Sequence, residues 1–314
     1  NSNADMDKNQ ADTGEEPRVT GAKQLWAHLK LKKSISPIMD QLEKMSIALI
    51  DLAYLPANET NKIPPKHKLL TFQNMKNLQC PTLDLPIRKS GVYPSEALTT
   101  IVRWEASVTN VGGINAPKKI EVLCSDGVSR PQLLKGKDDM RQDAIMQQIF
   151  GVVNQLLALN KEMSKKQARI RTYKVVPFSR RSGILEWCSD TMPVGLYLIG
   201  NKGVKGAHER YRPNDWRPDK AIREIMSTDS SNIETKVAKF TEVCKNLKPV
   251  FHQFFYEHFK SPGRIFERRF AYTVSLAVSS MIGYILGIGD RHVQNILIDL
   301  KTAEVIHIDF GIAF

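Results

Sequence analysis

Three oxygen-bearing side chains near the end of the sequence could together support phosphoryl transfer. Asp290 and Asn295 form an Asp-x-x-x-x-Asn pattern, and Asp309 follows in the segment Ile-Asp-Phe-Gly. In phosphoryl transfer, one carboxylate orients the attacking hydroxyl, while an Asn/Asp pair holds Mg²⁺ on the nucleotide phosphates. These residue types at this spacing therefore indicate chemistry on a nucleotide phosphate.

A predicted β-hairpin would bring these side chains together. Two apolar runs, residues 296–299 and 305–308, flank a short polar connection, which is typical of a hairpin. Antiparallel pairing places Asn295, before the first strand, beside Asp309, after the second. Asp290 lies on a Gly-flanked loop just upstream, so we expect it to share the same site.

Two other kinds of nucleotide or hydrolytic site agree less well with the sequence. Asp290, His292, His307 and Asp309 could bind a catalytic divalent metal as in a hydrolase. His307, however, alternates with its isoleucine neighbours on the second strand, so its side chain is expected to leave the face that they occupy. A P-loop is disfavoured because the chain contains no Gly-x-x-x-x-Gly-Lys-Ser/Thr pattern.

The elements that must position these residues form a β-rich part followed by a helical part. Strands are predicted over residues 99–108, 119–124, 130–135, 168–176 and 183–187, with a helix over 138–161 between the third and the fourth. Further helices are predicted over residues 35–55, 235–246, 249–259 and 265–286. The pattern predicts an α+β fold, and this order of a small β-rich lobe and a helical lobe resembles the two-lobed plan of kinases, which implies that ATP lies in the cleft between the lobes.

A lysine at the end of the third predicted strand could bind a phosphate. Lys135 is followed by Asp138 and Asp143 at the opening of the predicted helix. A carboxylate on that helix would restrict the rotamers of the lysine and hold its ammonium group in place. A surface lysine paired with nearby acids is the alternative, and the Asp290 motif in the same chain order favours the phosphate-binding role.

The end of the fifth predicted strand could bind an adenine ring. There, the segment Leu185-Glu-Trp-Cys188 ends the β character of the chain. A backbone carbonyl and amide at such a joint can hydrogen-bond adenine, and the indole of Trp187 would supply an apolar wall. A tryptophan in the core is the alternative, but its place at the predicted joint favours contact with the nucleotide.

The composition suits a soluble, intracellular protein with an anionic partner. The chain has 314 residues, 42% of them hydrophobic, and a formal net charge of +12. That charge suggests a nucleotide, nucleic acid or acidic protein surface as a partner, although solvated helix ends and loops would also explain it. Aromatic residues do not interleave with the basic runs, so direct DNA binding is left open. No apolar run is long enough for a membrane span, and the four dispersed cysteines indicate neither a zinc site nor disulfides.

Several sequence blocks resemble the phosphatidylinositol-3-kinase-related kinase family. The order Asp290-Arg-His292 inverts the His-Arg-Asp of ordinary protein kinases and is typical of this family. Four further blocks also carry the resemblance, at residues 134–144, 173–177, 182–188 and 206–215. The last block contains Tyr-Arg-Pro-Asn-Asp and is similar to the branch that acts in DNA-damage and telomere-maintenance responses. The resemblance covers residues 101–314 and implies a Ser/Thr protein kinase with a PI3K/PI4K-type catalytic domain.

This resemblance implies a role for each matching residue. Asp290 would orient the substrate hydroxyl, and His292 would stabilise the transferring phosphate. Asn295 and Asp309 would hold Mg²⁺, with Mn²⁺ as an alternative. Lys135 would contact an ATP phosphate, anchored by Asp138 or Asp143. The remaining nucleotide contacts would come from Tyr173, Leu185, Trp187, Leu297 and Ile308, and from the backbone of Glu186 and Cys188.

The resemblance also implies partners and a division of the chain. Substrates would be proteins with Ser or Thr before Gln, and the full-length protein would be a nuclear homodimer that acts with a DNA-damage sensor complex. The chain divides into a disordered leader (1–20), a helical lead-in similar to the end of a FAT-type region (21–95), a small lobe (96–188) and a partial large lobe (189–314). Because the chain ends just after Asp-Phe-Gly, we expect it to be inactive toward proteins by itself.

Two alternatives to a protein kinase remain open. A phosphatidylinositol lipid kinase shares the Asp-Arg-His and Asp-Phe-Gly motifs, and the segment that would separate the two follows residue 314. A non-enzymatic basic scaffold or pseudokinase is the second alternative. The presence of Lys135, Asp290, Asn295 and Asp309 argues against it.

Overall fold

The computed structural model describes residues 16–56, 61–84, 89–90, 98–112, 115–201, 203–228 and 232–313. Their contacts define two compact units. The first contains the described residues of 1–148 and 173–189, and the second contains those of 149–172 and 190–314. The sequence pattern instead grouped 149–172 with the β-rich lobe. Residues 149–172 belong to the second unit, in which Arg169 and Arg171 form ion pairs with Glu304 and Asp299.

A six-stranded antiparallel sheet forms the centre of the first unit. In chain order its strands are β1 (Gln73–Gln79), β2 (Thr100–Asn110), β3 (Lys118–Cys124), β4 (Ser129–Gly136), β5 (Val175–Ser179) and β6 (Ser182–Glu186). They lie in the order β1-β2-β3-β4-β6-β5. In β3, buried and partly exposed side chains alternate along the whole strand. This period of two is typical of a strand with one buried face.

Helix α2 (Ser36–Tyr54) packs against this sheet. Helix α1 (Glu16–Lys30) precedes it, and helix α3 (Arg141–Leu159) begins in the same unit. Helix α2 buries Met45, Leu49 and Leu52 in the core that the sheet shares. Its end lies so close to β4 that a Cβ added to Gly136 would be 2.9 Å from the carbonyl oxygen of Ala53. This contact fixes the end of the strand that carries Lys135.

The second unit contains a three-stranded antiparallel sheet and a helical core. The sheet has the order β11-β10-β7, from β7 (Thr191–Pro193), β10 (Ile296–Asp299) and β11 (Val305–His307), and β8 (Gly200–Asn201) pairs with β9 (Val204–Lys205). The helices are α4 (Lys161–Lys165), α5 (Val194–Ile199), α6 (Ala207–Tyr211), α7 (Pro218–Met226), α8 (Ile233–Asn246), α9 (Gln253–His258) and α10 (Pro262–Ile285). Ile298 of β10 is fully buried in a cluster with Tyr197, Phe254 and Phe255. This aromatic cluster anchors the hairpin.

The strand predicted over residues 168–176 is wrong for most of its length, because β5 begins only at Val175. Two amides in this segment donate hydrogen bonds to side chains instead of to a neighbouring strand. The Ile170 amide donates to Oδ1 of Asn154 at 2.8 Å, and the Tyr173 amide donates to Oε1 of Gln147 at 3.0 Å. Side-chain acceptors of this kind replace a strand partner, and apolar periodicity does not reveal them.

Strand β1 was not predicted, so the sheet has six strands and not five. Its sequence is mostly polar, and a register shift between Met75 and Gln79 interrupts its pairing with β2. An edge strand with such an irregularity loses the regular alternation on which prediction depends.

Three predicted boundaries also differ. Residues 16–20, predicted in a disordered leader, belong to α1, and residues 1–15 lie outside the described residues. The helix predicted over 138–161 is α3 followed by α4, which starts after Asn160 because that side chain caps the amides of Glu162 and Met163. The helix predicted over 249–259 is the shorter α9. None of the helices in the described ranges combines the length and apolar composition needed to cross a membrane.

Candidate active site

The β10–β11 hairpin places Asn295 beside the Asp-Phe-Gly segment. Ile296 pairs with His307, and the amide of Ile308 donates to the carbonyl oxygen of Asn295 at 3.0 Å. Asp309 is the next residue after this pair. The backbone ladder of the hairpin therefore brings the segments that carry Asn295 and Asp309 together.

The side chain of Asn295 closes the loop that begins at Asp290. Its Nδ2 donates to the backbone oxygen of Asp290 at 3.2 Å and to Oδ2 at 3.4 Å. Asn295 is only 8% exposed, whereas the Asp290 side chain is 52% exposed. The loop thus buries the amide that shapes it and leaves the carboxylate accessible to a substrate.

His292 lies at the accessible side of the same loop. Its Nδ1 accepts a hydrogen bond from the Gln294 amide at 3.2 Å. A neutral imidazole therefore carries its proton on Nε2, the atom that lies 3.9 Å from Oδ1 of Asp290. That proton can be donated to an anionic group placed near Asp290.

Arg291, to which the sequence analysis gave no role, joins the catalytic loop to the Asp-Phe-Gly segment. Its Nε donates to the carbonyl oxygen of Gly289 at 2.7 Å, and its Nη1 donates to that of Ile308 at 2.7 Å. Its Nη2 donates to the carbonyl oxygen of Asp309. A planar guanidinium with several fixed donors suits this arrangement of carbonyl groups. No sequence spacing revealed it, because the acceptors are backbone atoms.

Packing around Phe310 strengthens this junction. Phe310 is fully buried and makes an edge-on contact with Phe150, with ring centroids 5.3 Å apart. The guanidinium of Arg291 lies 5.1 Å from the centre of the Phe310 ring. In addition, the amide of Gly289 donates to the carbonyl oxygen of Ile312 at 2.9 Å. The segment after Asp309 is therefore fixed to the loop before Asp290.

Both candidate catalytic aspartates have a left-handed backbone. The φ angle is 51° at Asp290 and 62° at Asp309. Residues other than glycine adopt this region infrequently, although Asp tolerates it better than most. Unfavourable backbone conformations persist where the surroundings determine them, and they cluster at functional sites. Here the hydrogen bonds made by Arg291 and Asn295 hold the backbone in this conformation.

The chemistry of Asn295 and Asp309 fits a nucleotide-bound Mg²⁺. The Asn295 amide group uses its nitrogen toward Asp290, so its oxygen is the atom that can face a cation. Asp309 contributes an exposed carboxylate. Mg²⁺ prefers oxygen ligands and commonly takes one or two from the protein, the others coming from phosphates and water. A pair of oxygen ligands is therefore sufficient.

The hydrolase alternative finds no support in the described residues. No group of three or more His, Cys, Asp or Glu side chains in the described ranges could hold a metal ion. Burial, and then the nearby Arg291 guanidinium, lower the pKa of His307 to about 4. The Nε2 atom of His307 is buried and has no hydrogen-bond partner. His307 is thus a half-buried neutral imidazole with a buried Nε2 atom and not part of a ligand cluster in the described ranges.

In the first unit, Lys135 is held at the end of β4. Its backbone pairs with Gly183 of β6, and its Nζ donates to Oδ2 of Asp138 at 3.1 Å. The Lys135 side chain is 13% exposed. Asp143 is 2% exposed and accepts a long hydrogen bond from the hydroxyl of Tyr173, at 3.5 Å. The structure thus brings Lys135 together with Asp138, and Asp143 together with Tyr173.

The residues predicted to contact adenine have different environments. Leu185 is buried in the sheet, and the amides of Glu186 and Trp187 donate to the carbonyl oxygens of Lys174 and Pro131. Trp187 is half-buried, with Nζ of Lys119 located 5.0 Å from its ring centre. Cys188 is also half-buried. In the second unit, Leu297 is buried on β10 and Ile308 is partly exposed.

Comparison with known proteins supports the same interpretation. The sequence profile described as phosphatidylinositol 3- and 4-kinase matches residues 130–314. The chain is 50% identical over 281 residues to the serine/threonine-protein kinase ATM of Drosophila melanogaster, covering 87% of this chain and 10% of that protein. It is 44% identical to the serine-protein kinase ATM of Sus scrofa, with 87% and 9% covered. The chain therefore spans about a tenth of the length of these relatives.

A solved structure shows the same fold. The complete CtTel1 dimer with C2 symmetry superposes with a TM-score of 0.82 at 35% sequence identity, covering 93% of this chain and 11% of that chain. This similarity confirms the predicted α+β fold of the PI3K/PI4K type. Together with the profile match over residues 130–314, it shows that the chain belongs to the phosphatidylinositol 3- and 4-kinase family.

Proposed function

We propose that this chain carries the ATP-binding and phosphoryl-transfer residues of a serine/threonine protein kinase. The observation that carries the proposal is the closed loop in which the Asn295 amide bonds to Asp290 while the hairpin holds Asn295 next to Asp309. This arrangement combines an exposed carboxylate with an Asn/Asp pair. Those are the parts that phosphoryl transfer to a hydroxyl requires.

Asp290 orients the hydroxyl group that attacks the phosphate. Its carboxylate is accessible, and its backbone is fixed by Asn295. It accepts a hydrogen bond from the substrate hydroxyl and takes the proton as the oxygen attacks the γ-phosphorus of ATP, while the bond from that phosphorus to the bridging oxygen breaks and ADP leaves. His292 donates a hydrogen bond from Nε2 to the transferring phosphoryl group, whose negative charge is spread over its oxygens.

Asn295 and Asp309 would supply oxygen ligands to Mg²⁺, or to Mn²⁺ in its place. Lys135 binds a phosphate of ATP, and Asp138 limits the conformations of its ammonium group. Bound Mg-ATP supplies the phosphoryl group and the positive charge that offsets the phosphate oxygens. Asp143 is the alternative anchor for Lys135, and Tyr173, Leu185, Trp187, Leu297 and Ile308 contact adenine together with the backbone of Glu186 and Cys188.

The relatives support a more specific assignment. Since the similar proteins are ATM kinases, we infer that the substrates are nuclear proteins with Ser or Thr before Gln, in the DNA-damage and telomere-maintenance responses. The similar CtTel1 structure is a symmetric dimer, which supports a homodimer for the complete protein. Action with a DNA-damage sensor complex belongs to the same proposal.

A lipid kinase is the second candidate, because the matching profile describes phosphatidylinositol kinases. The residues of the site act in the same way on a lipid hydroxyl, so the site itself does not separate the two substrates. The similar relatives, which are serine/threonine-protein kinases, favour the first candidate.

The test measures three substrates with the complete protein that contains this chain. These are a Ser-Gln peptide, the same peptide with Gln replaced by Ala, and vesicles containing phosphatidylinositol. We expect transfer from Mg-ATP to the first peptide, with little transfer to the other two substrates. Asp290→Asn and Asp309→Ala should each reduce this activity at least about 100-fold. Asp219→Asn, on the exposed face of α7, is the matched control and should retain full activity.

Two results would count against the proposal. Phosphorylation of the vesicles in preference to the peptide would establish the lipid-kinase alternative. Full turnover by folded Asp309→Ala protein would show that Asp309 is not a metal ligand, and the proposed site would then be wrong.

A further inference from the structure

A surface groove lies within the second unit, where helix α10 meets the end of helix α4. Its volume is about 370 Å³, within the range of about 300–1,000 Å³ typical of binding sites. It is lined by residues of α10 between Phe266 and Ser275, by four residues of the segment 165–169, and by Glu304. None of these residues belongs to the proposed ATP, metal or substrate contacts.

The α10 side of the groove carries an exposed apolar stripe. Phe266, Phe270 and Val274 are spaced four residues apart, so they lie on one face of the helix. Phe266 is 75% exposed and Phe270 is 47% exposed. At a rise of about 1.5 Å per residue the stripe is about 12 Å long. The apolar face of an amphipathic helix can pack along a stripe of this kind.

The other side of the groove is basic. Lys165 and Lys166 are exposed, and neither forms an ion pair with any residue that the structure describes. Arg268, on α10, adds a third cation that likewise has no carboxylate partner among the described residues. Cations without partners around one groove favour an anionic occupant.

The backbone of the basic side is fixed before anything binds. Nε of Arg169 donates to Oε1 of Glu304 at 3.0 Å, and the amide of Ala168 donates to the carbonyl oxygen of Met163 at 2.9 Å. The segment that carries the two lysines therefore needs little ordering when a partner binds. Such preorganisation favours affinity.

The charge balance of the groove favours an acidic peptide over a nucleic acid. Glu267 and Glu304 line the groove together with its basic residues. A nucleic acid strand carries a phosphate at every nucleotide, so part of its backbone would lie against these carboxylates. A peptide can instead place its acidic residues beside Lys165 and Lys166 alone. A groove with one apolar and one basic side therefore matches a helix that has an apolar stripe and an acidic flank.

We propose that this groove docks an acidic amphipathic helix of a partner protein. The apolar stripe of that helix packs on Phe266, Phe270 and Val274, and its carboxylates pair with Lys165 and Lys166. The proposal goes beyond the proposed kinase function and does not depend on it. The sequence did not reveal this surface, because its apolar and basic sides come from distant parts of the chain.

The test measures the binding of three fluorescein-labelled peptides to the complete protein by fluorescence anisotropy. Each has about 18 residues, above the length at which isolated helices are marginal. The first has leucines every three or four residues along one face and glutamates on both flanks. The second has glutamines in place of the glutamates, and the third has serines in place of the leucines. We expect the first peptide to bind at least tenfold more tightly than either of the others, and its Kd to rise at high salt, where exposed charges are screened.

Three variants assign this binding to the groove. Lys165→Gln combined with Lys166→Gln should raise the Kd of the glutamate peptide about tenfold and leave that of the glutamine peptide unchanged. Phe266→Ser should raise the Kd of both peptides about tenfold, because both lose the same apolar contact. Glu267→Gln removes a carboxylate from the groove and should lower the Kd of the glutamate peptide by a factor of about two to three.

Substitutions on α8 are the matched controls. Lys236→Gln combined with Lys245→Gln removes the same charge from exposed positions, and Phe240→Ser removes a ring that is 58% exposed. None of these three residues lines the groove. The Kd values of all three peptides should therefore equal those of the wild-type protein.

Several outcomes would overturn the proposal. They are failure of the glutamate peptide to bind, equally tight binding of the glutamine peptide, and an unchanged Kd in folded Phe266→Ser protein. Tighter binding of a single-stranded oligothymidylate, lost in the paired lysine variant, would identify a nucleic-acid site instead. If Phe266→Ser does not fold, as judged by circular dichroism, the paired lysine variant decides: an unchanged Kd for the glutamate peptide in that variant also overturns the proposal.

Discussion

The two units hold their candidate catalytic side chains by different means. Lys135 lies on β4, whose backbone pairs with β3 on one side and β6 on the other. Asp290 lies on a loop outside any strand, and its position depends on bonds from the side chains of Asn295 and Arg291 to backbone oxygens. The first position is set by the backbone of a sheet, and the second is set by side chains.

This difference predicts how each region responds to substitution. A sheet position tolerates loss of its side chain, because the hydrogen bonds that place it belong to the backbone. The loop has a few backbone bonds, such as that from the Gly289 amide to Ile312, but no strand ladder, so loss of the side chain that bonds to its carbonyls should displace it. The left-handed backbone at Asp290 and Asp309 makes displacement easier, since such conformations persist only when surrounding contacts maintain them.

A large effect on turnover should come from Arg291→Lys. Lysine keeps the charge but cannot direct several donors at the carbonyls of Gly289, Ile308 and Asp309 together. We expect a fall of about 100-fold in kcat, because an error of about 1 Å in a reacting group has effects of that size. The pH profile of the remaining activity should keep its shape, because Arg291 acts by positioning and not by proton transfer.

Arg223→Lys is the control for this prediction. Arg223 forms an exposed ion pair with Asp219 on α7, and such pairs contribute little. Kinetic assays and thermal unfolding of both variants make the comparison. Equal kcat values for Arg291→Lys and wild type would show that the loop does not depend on the side-chain clamp.

Lys135→Met should reduce activity without disturbing the sheet. We expect kcat/KM to fall about 100-fold, because one preorganised donor to the phosphate is lost. The free energy of unfolding should change by less than about 1 kcal/mol, since the ion pair with Asp138 is partly exposed and the strand pairing is unaffected. Lys205→Met, which removes an exposed ion pair on β9, is the control. Unfolding of the Lys135→Met protein would contradict the idea that the sheet alone sets this position.

The same contrast explains what the sequence could predict. The hairpin was predictable, because two short apolar runs separated by a polar connection specify β10 and β11, and the pairing places Asn295 near Asp309 whatever the side chains are. Helices α2 and α10 were predictable from their apolar period. In these cases a local pattern in the sequence determines the backbone.

Interactions between side chains and distant backbone atoms were not predictable. Arg291 donates to backbone carbonyl oxygens. Residues of any type carry such an oxygen, so no sequence motif identifies these bonds. The Asn154 and Gln147 side chains that bond to residues 168–174 likewise have no local signature, and a strand was wrongly predicted there. Strand β1 was missed because an irregular edge strand has no clear period.

Asp299→Asn should produce an intermediate effect on stability. One Asp299 oxygen accepts hydrogen bonds from the amides of Lys301 and Thr302, at 2.8 Å each. The other oxygen accepts a hydrogen bond from Nη1 of Arg171. We expect a loss of about 2–3 kcal/mol in the free energy of unfolding, since hydrogen bonds to a charged group are broken or weakened. This substitution tests whether the hairpin turn depends on a side chain, as the catalytic loop does.

The effect of Asp299 should also depend on pH. Burial disfavours its ionised form, but bonds from the Thr302 amide, Arg171 and the Lys301 amide leave the pKa of Asp299 below its ordinary value. A carboxyl group with a lowered pKa stabilises the fold above its unfolded pKa of about 3.9, and this stabilisation is lost as the pH falls further. The stability difference between wild type and Asp299→Asn should therefore be full at pH 6 and shrink below about pH 4. A difference that stays constant down to pH 2 would contradict the assigned network.

The smallest effect on stability should come from Gln167→Gly. This substitution tests whether the left-handed backbone at Gln167 is an ordinary helix end, unlike that at Asp290 and Asp309. Gln167 has a φ of 53° and follows α4, where its amide bonds to the oxygen of Ser164 and the next amide bonds to that of Met163. Glycine is favoured at this position of a helix end, so the substitution should stabilise the protein by about 0.5–1 kcal/mol without changing activity. Gln167→Ala, which retains a Cβ, should bring no such gain. Thermal unfolding and kinetic assays of the three proteins make the measurement. If glycine destabilises the protein, the left-handed residue at 167 is maintained by its side chain, and the distinction between it and the catalytic aspartates is lost.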